Sequence, residues 1–412
     1  MVRGLDLDFP KYKGAVLDVV SRYDEINTRI TAMGRRLMAY VDEGAVMESG
    51  RSARGSLYAQ LTSSPDRLRR LLLEDPVQRR TWGVTPDNLD DVFSERSRLF
   101  RQLHPLLEQF CRDEHISGSL EYALWHVYIP LAQWIIPRAV RARQGRRGAY
   151  VLGINGAQGS GKTTINHVLQ LILGSGLHKK VIGFSIDDLY DTYDQRLEKG
   201  RRISPILARI RGPGTHDLDL AIAILDRLID GTPTRIPRFD KSLASNQGDR
   251  VAESGWLEVS EAQEIVLFEG WNVGEAPFPE DPDDERFAKI RDAEGFRAWR
   301  DHYVAALADT ERGYAALFSR LDDLVMIRIH DFAEVYANRE KAEAKLRHRI
   351  ARNGREGKPT AGISAMTKEE VRAFVDHYEP WTRHMLEEMP ARASLVLWMG
   401  PRHQVTRITA SR

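Results

Sequence analysis

Apolar positions follow two different regimes along this chain. In the first, Val16, Val19, Tyr23, Ile26, Ile30, Met33, Leu37 and Tyr40 recur at alternating spacings of three and four, which draws one narrow seam along a helix from about Gly14 to Asp42. A seam of that width suits one long partner helix, supplied by the same N-terminal region or by a second copy in a homodimer. Helical patterns resume from Arg67 to Leu73 and from Leu89 to Cys111, with turn signals around Gly83-Val84-Thr85-Pro86 between them. Leu120 to Ile136 is apolar and aromatic and reads as a buried helix. The arginine-rich stretch Arg138 to Arg147 behind it reads as a solvated linker or domain boundary.

The second regime begins at Tyr150. Short continuous apolar runs at Tyr150 to Asn155, Val181 to Ile186, Ile265 to Phe268, Leu324 to Ile329 and Leu395 to Trp398 alternate with helical stretches. Strands that are apolar on both sides and separated by helices predict a mostly parallel sheet of about five strands, covered on both faces. The expected fold is therefore a three-layer α/β/α core over 149–412, preceded by an all-α region over 1–148. In such a sheet, ligands sit beyond the carboxyl ends of the strands.

Composition narrows the partners. Sixty basic residues stand against fifty-nine acidic ones in 412, a net charge of +1, so no global surplus points to nucleic acid or a polybasic membrane contact. The single cysteine, Cys111, excludes an intramolecular disulfide. Acids near the N-terminus, where a signal peptide has its apolar core, and the lack of any run of transmembrane length lead us to expect a cytoplasmic protein.

Candidate chemistry lies at the strand ends. Gly156-Ala157-Gln158-Gly159-Ser160-Gly161-Lys162-Thr163, followed by Thr164, matches G-x-x-x-x-G-K-[ST] at every fixed position, and it stands between a strand and a helix. Its glycines let backbone N–H groups face phosphate oxygens, Lys162 would meet the β/γ-phosphates, and the Thr163 hydroxyl would hold Mg²⁺. After the second run comes Ser185-Ile186-Asp187-Asp188-Leu189-Tyr190, two adjacent carboxylates that serve either as a base for an attacking hydroxyl or as helix caps. Glu269-Gly270-Trp271 follows the third run and places a carboxylate where P-loop enzymes hold Mg²⁺. The guanine-reading Asn-Lys-x-Asp segment does not occur, which argues against a GTPase.

Between these runs lie Gly212-Pro213-Gly214-Thr215-His216-Asp217, Pro237-Arg238-Phe239-Asp240-Lys241-Ser242 and Gly248-Asp249-Arg250. Thr215 is a candidate cap for the helix from Leu218 to Ile229, with Asp217 in its first turn. The cations and carboxylate of the Arg-Phe-Asp-Lys group suit a small anionic, hydroxylated substrate. A charged helix from about Phe332 to Arg352 carries Arg339, Lys341, Lys345, Arg347 and Arg349. With the Gly- and Pro-punctuated loop behind it, it reads as a lid over about 332–360.

In this order the motifs resemble the D-glycerate 3-kinase family, which belongs with the phosphoribulokinase, uridine kinase and pantothenate kinase group of P-loop kinases. The resemblance runs from about Tyr150 to the last strand and implies ATP and Mg²⁺ as cofactors. It makes Asp187 the general base, assigns Lys162 and Thr163 to the phosphates and the metal, Glu269 to the second metal position, and Arg339 and Arg347 to the lid. His216, Asp240, Lys241 and Arg250 fall on acceptor segments. With their motif neighbours Asp188, Tyr190, Asp217, Arg238 and Trp271 they form the expected substrate-binding set. Three places depart from the family pattern: the loop Arg211-Gly212-Pro213-Gly214 is one residue shorter, Asn246-Gln247-Gly248 stands where the family has Gly-Arg-Gly, and Asn338 replaces a tryptophan. The expectation is an ATP-dependent kinase for a small hydroxy acid, D-glycerate first. The alternatives are another acceptor on the same fold, such as a nucleoside, a pantothenate-like acid or a specialised metabolite, and a nucleotide-dependent regulatory or assembly protein.

Overall fold

The computed structural model describes residues 56–114, 116, 120–145, 148–278, 284–355, 365–400 and 404–410. The seam from Val16 to Tyr40, with its homodimer expectation, lies outside the described residues. Up to Ala132, with Ser175–Leu177, the described chain forms one compact unit; Gln133–Gly174 and His178 onward form a second. Among the described residues no helix is long and apolar enough to cross a membrane.

The first unit is helical because its polar residues sit where helix ends need them. Ser56 accepts from the Ala59 N–H to start Leu57–Ser63, and proline opens Pro65–Glu74. In the long helix Leu89–Asp113 the buried Phe93, Phe100, Leu103, Leu107 and Phe110 fall on one face. Trp125 meets two of them edge-on, Phe93 at 5.8 Å and Phe100 at 5.7 Å between centroids.

The second unit is built on a six-stranded sheet. Its strands are β1 (Tyr150–Gly156), β2 (Val181–Ser185), β7 (Ile265–Gly270), β8 (Asp323–Arg328), β9 (Leu395–Met399) and β10 (Val405–Ala410), in the order β10-β9-β8-β1-β7-β2. Two short ribbons, β3 (Thr234–Ile236) with β6 (Leu257–Val259) and β4 (Phe239–Asp240) with β5 (Asp249–Arg250), stand apart from it. All pairings in the main sheet are parallel except β9 with β10. Every residue of β1 and β7 is buried, as the continuous apolar runs required. β10 is the strand that the apolar-run criterion missed. It is an edge strand in which Ile408 is buried among Thr406, Arg407 and Thr409, so its pattern is that of a half-solvated element.

The expected linker at Arg138 to Arg147 is instead helical as far as Gly145, in the helix Ile129–Gly145. Its arginines have partners. The Arg138 guanidinium lies 3.6 Å over the Trp134 ring and 3.3 Å from Asp323, and Arg143 pairs with Glu264. A charge run is legible as solvated only while its counter-ions, here more than a hundred residues away, are unseen.

Register places the site. Ile154 of β1 pairs with Glu269 of β7, and Ser185 of β2 pairs with the same Glu269. The carboxyl ends of the three strands are therefore level, and the phosphate loop, Glu269 and the turn carrying Asp187 start from one edge of the sheet.

Candidate active site

β1 ends at Gly156, and the loop turns through Gly159 (φ +76°) and Gly161 (φ +96°) before the helix Lys162–Gln170. Both φ values lie where a Cβ is strained, which explains glycine at these two positions. The loop closes on itself: the Ser160 N–H donates to the Ala157 carbonyl at 3.1 Å, and Lys162 Nζ donates to the same oxygen at 3.0 Å. Ala157 is 5% exposed and packs with Ile329, Phe332 and Val335, which ties the loop to the segment after β8. Gln158 Oε1 and Ser160 Oγ are buried without protein partners. Thr164 follows on the helix, half-buried.

Thr163 Oγ1 donates to Glu269 Oε1 at 2.9 Å. Glu269 is 4% exposed. Burial pushes its carboxyl up, and the Lys162 ammonium opposes that; burial likewise pushes Lys162 down against the pull of Glu269 and Asp187. A hydroxyl and a carboxylate oxygen side by side are the hard-oxygen donors a magnesium ion takes.

The adjacent carboxylates divide their work. Ser185 caps the turn Ile186–Leu189, accepting from the Asp187 N–H at 3.2 Å, and Asp188 completes the capping box from the other side. Asp188 also receives Arg238 at 3.0 Å and the Phe239 N–H at 3.3 Å. The side chain of Asp187 makes no cap. Lys241 Nζ donates to its Oδ2 at 2.9 Å. Burial raises this carboxyl, but Lys241, with His216 and Lys162 further off, overrides it and holds Asp187 down to about 2.

Around this pair the acceptor segments interlock. Asp217, not Thr215, caps the helix Leu218–Ile229; it accepts from the Leu220 N–H at 3.2 Å and pairs with Arg250 at 2.7 Å. Thr215 lies two residues before that cap, and its hydroxyl bonds within its own loop, accepting from the Gly212 N–H and donating to the Gly212 carbonyl. Arg250 also donates to the Tyr190 carbonyl at 2.7 Å. Tyr190 is buried, stacks on His216 at 4.4 Å and donates to the Arg211 carbonyl at 3.1 Å. Asp240 accepts from the Ser242 N–H and hydroxyl. Trp271 is 4% exposed, edge-on to Tyr378, and belongs to the wall of the site rather than its surface.

The lid arginines are not gathered with these groups. Arg339 pairs with Glu343 and lies 4.9 Å over the Phe374 ring, and Arg347 donates to the Met366 carbonyl at 2.8 Å. Besides Val335, the helix Ala333–Arg355 brings Asn338 to the phosphate loop, with its amide 3.5 Å from the Gly159 carbonyl. Sequence reasoning also missed Arg211 and Tyr378. The Tyr378 hydroxyl donates to the Arg211 carbonyl, and the Arg211 guanidinium donates to the Lys241 carbonyl at 3.2 Å. The one signal for Arg211 was its place directly before the glycine-rich turn.

A glycine loop with its lysine and threonine, a buried glutamate on the neighbouring strand and an aspartate in the turn after the next one form an arrangement of the P-loop type. The comparisons agree. The model of the phosphoribulokinase/uridine kinase family matches residues 151–273. The chain is 31% identical over 310 residues to the chloroplastic D-glycerate 3-kinase of Arabidopsis thaliana, covering 72% of this chain and 62% of that one. It is 32% identical over 238 residues to an uncharacterized kinase of Schizosaccharomyces pombe, covering 56% of this chain and 79% of the relative. Among solved structures, D-glycerate 3-kinase from Cryptococcus neoformans aligns at a TM-score of 0.54 and 21% identity, over 68% of this chain and 97% of that one, a likeness of fold. This chain belongs to the phosphoribulokinase/uridine kinase family.

Proposed function

We propose that the protein phosphorylates a hydroxyl of a small hydroxy acid at the expense of ATP and with Mg²⁺, and that the acceptor is D-glycerate, giving 3-phosphoglycerate. The observation that carries this reading is the convergence of Lys162, Glu269, Asp187 and Lys241 at one sheet edge, linked by the electrostatics described above. Thr163 and Glu269 would hold the metal, which when bound neutralises charge on the transferring phosphoryl group. Lys162 exchanges its bond to the Ala157 carbonyl for phosphate oxygens. Asp187 receives the hydrogen bond of the acceptor hydroxyl, aims its oxygen in line, and takes the proton as the new O–P bond forms. Lys241 keeps that carboxylate charged and would meet the acceptor's own carboxylate. The family resemblance supports D-glycerate in particular.

A second reading keeps the transfer and changes the acceptor. The loop that departs from the family pattern holds Ala244 (φ +48°) and Ser245 (φ +55°) in the left-handed region, and the buried Arg196 bonds the carbonyls of Gln247 and Gly248. That local conformation follows Lys241 directly, on the segment assigned here to the acceptor. The deciding experiment is ADP release with Mg-ATP, with and without D-glycerate, with identification of the product. Stimulation with 3-phosphoglycerate formed supports the first reading; stimulation only by another hydroxylated metabolite supports the second.

A further inference from the structure

One group in the acceptor region is left without a task by this mechanism. His216 is 2% exposed, and its Nε2 is buried with no partner. Its Nδ1 lies 2.6 Å from the hydroxyl of Tyr314, which sits on the helix Tyr314–Phe318 and in none of the sequence motifs. The direction of that bond fixes the tautomer. Among the described residues Nδ1 is the one hydrogen-bond partner of the Tyr314 hydroxyl, and Tyr314 is fully buried. A buried phenol must place its proton on an acceptor, so the proton shared with the imidazole is the phenol's own, and Nδ1 accepts it. Burial makes a charged ring costly here and lowers its pKa to about 3. A neutral imidazole that accepts at Nδ1 carries its hydrogen on Nε2. Stacking on Tyr190, with ring planes 13° apart, prevents the ring from turning that hydrogen elsewhere.

An N–H that is buried, fixed in direction and unpaired costs free energy unless a ligand completes it. We propose that Tyr314 is a positioning residue that locks His216 as its Nε2–H tautomer, so that this hydrogen binds a lone-pair oxygen of the acceptor that takes no part in proton transfer. The proposal rests on the acceptor site assigned above, and it names the chemistry read there: a carboxylate or carbonyl oxygen. It also removes His216 from consideration as the base, because a nitrogen that presents hydrogen to the substrate cannot take a proton from it. Asp187, its electrostatic neighbour, is left in that role.

The test has two arms. Long-range ¹H–¹⁵N correlation of the ¹⁵N-histidine-labelled full chain at pH 7, with His216 assigned by its loss in His216→Gln, reads the tautomer without any substrate. The expected spectrum has a pyridine-type Nδ1 and a pyrrole-type Nε2, and in Tyr314→Phe the two shifts move toward each other. Hydrogen on Nδ1, or an unchanged pattern in the variant, overturns the lock. In steady-state kinetics with D-glycerate, Tyr314→Phe is expected to raise the acceptor KM about three- to tenfold, with the ATP KM within about twofold, as loss of one positioned hydrogen bond predicts. An unchanged acceptor KM overturns the donor role. If D-glycerate is not turned over at all, the proposed function fails while the spectrum still decides the tautomer.

Discussion

Replacing Asp187 by asparagine isolates the charge on which the proposed transfer depends. The substitution preserves shape and leaves the turn intact, because the cap is made by Ser185 and closed by Asp188. It removes a carboxylate held down to about 2, which at pH 7 is ionised by roughly five decades of excess. General-base assistance contributes about 10²- to 10⁴-fold, so kcat should fall by that factor, or about 3–5 kcal/mol at 1.36 kcal/mol per decade. Stability should change little. The Lys241 side chain is 58% exposed and that of Asp187 32%, so after solvent screening the lost pair is worth no more than about 1 kcal/mol. ADP affinity should stay within about twofold, since the hydrogen bond that places Lys162 is made to the Ala157 carbonyl and not to residue 187. Coupled ADP-release kinetics, calorimetric titration with ADP and a melting curve measure the three quantities. A kcat within threefold of the parent refutes the role assigned to Asp187, and a loss of ADP binding shows that the damage lies in the phosphate loop. The depressed folded pKa contributes stability that is present above about 3.8 and is lost as pH falls through about 2, so no acid limb between pH 5 and 8 should belong to this residue.

Glu269→Gln keeps an acceptor for the Thr163 hydroxyl but removes the charge beside Lys162; the Mg²⁺ concentration for half-maximal activity should rise about 10- to 100-fold in a metal titration at fixed ATP. Gly159→Ala places a Cβ 2.5 Å from the Asn338 Cβ at φ +76°, which costs about 1–2 kcal/mol from backbone strain alone; ADP should stabilise the variant visibly less than the parent in a thermal shift assay. Glu275 is 3% exposed, with the Tyr303 hydroxyl on one oxygen, and burial raises its pKa well above the ordinary value. For a raised acid, stability is full below the unfolded pKa near 4.5 and declines as pH climbs toward the folded value. Glu275→Gln should therefore gain on the parent as pH rises, by about 1–3 kcal/mol at pH 8. A difference in Tm that is flat with pH would sink that account.

Much of this architecture could be read before any coordinates existed. The phosphate loop is legible because its function belongs to consecutive residues: one turn of backbone, two left-handed glycines and the first residues of a helix act on one ligand. The strands β1 and β7 are legible because burial on both faces demands an unbroken apolar run. The order of motifs was enough to indicate the kinase family and the edge of the sheet at which the candidate residues gather.

What only the tertiary structure decided are the pairings between distant residues. Asp187 and Asp188 are indistinguishable as neighbours in the chain, yet one is ionised by Lys241, 54 residues on, while the other is taken up by a cap and by Arg238. Thr163 meets Glu269 across 106 residues, and His216 meets Tyr314 across 98. The arginines after Trp134 meet Asp323 and Glu264, and Arg339 meets Glu343 and Phe374. Local sequence specifies backbone propensity and the solvation of a face. Which counter-charge meets a side chain, and so its protonation and its role, is a sum over everything the fold brings within a few ångströms, and that sum does not exist until the chain has closed.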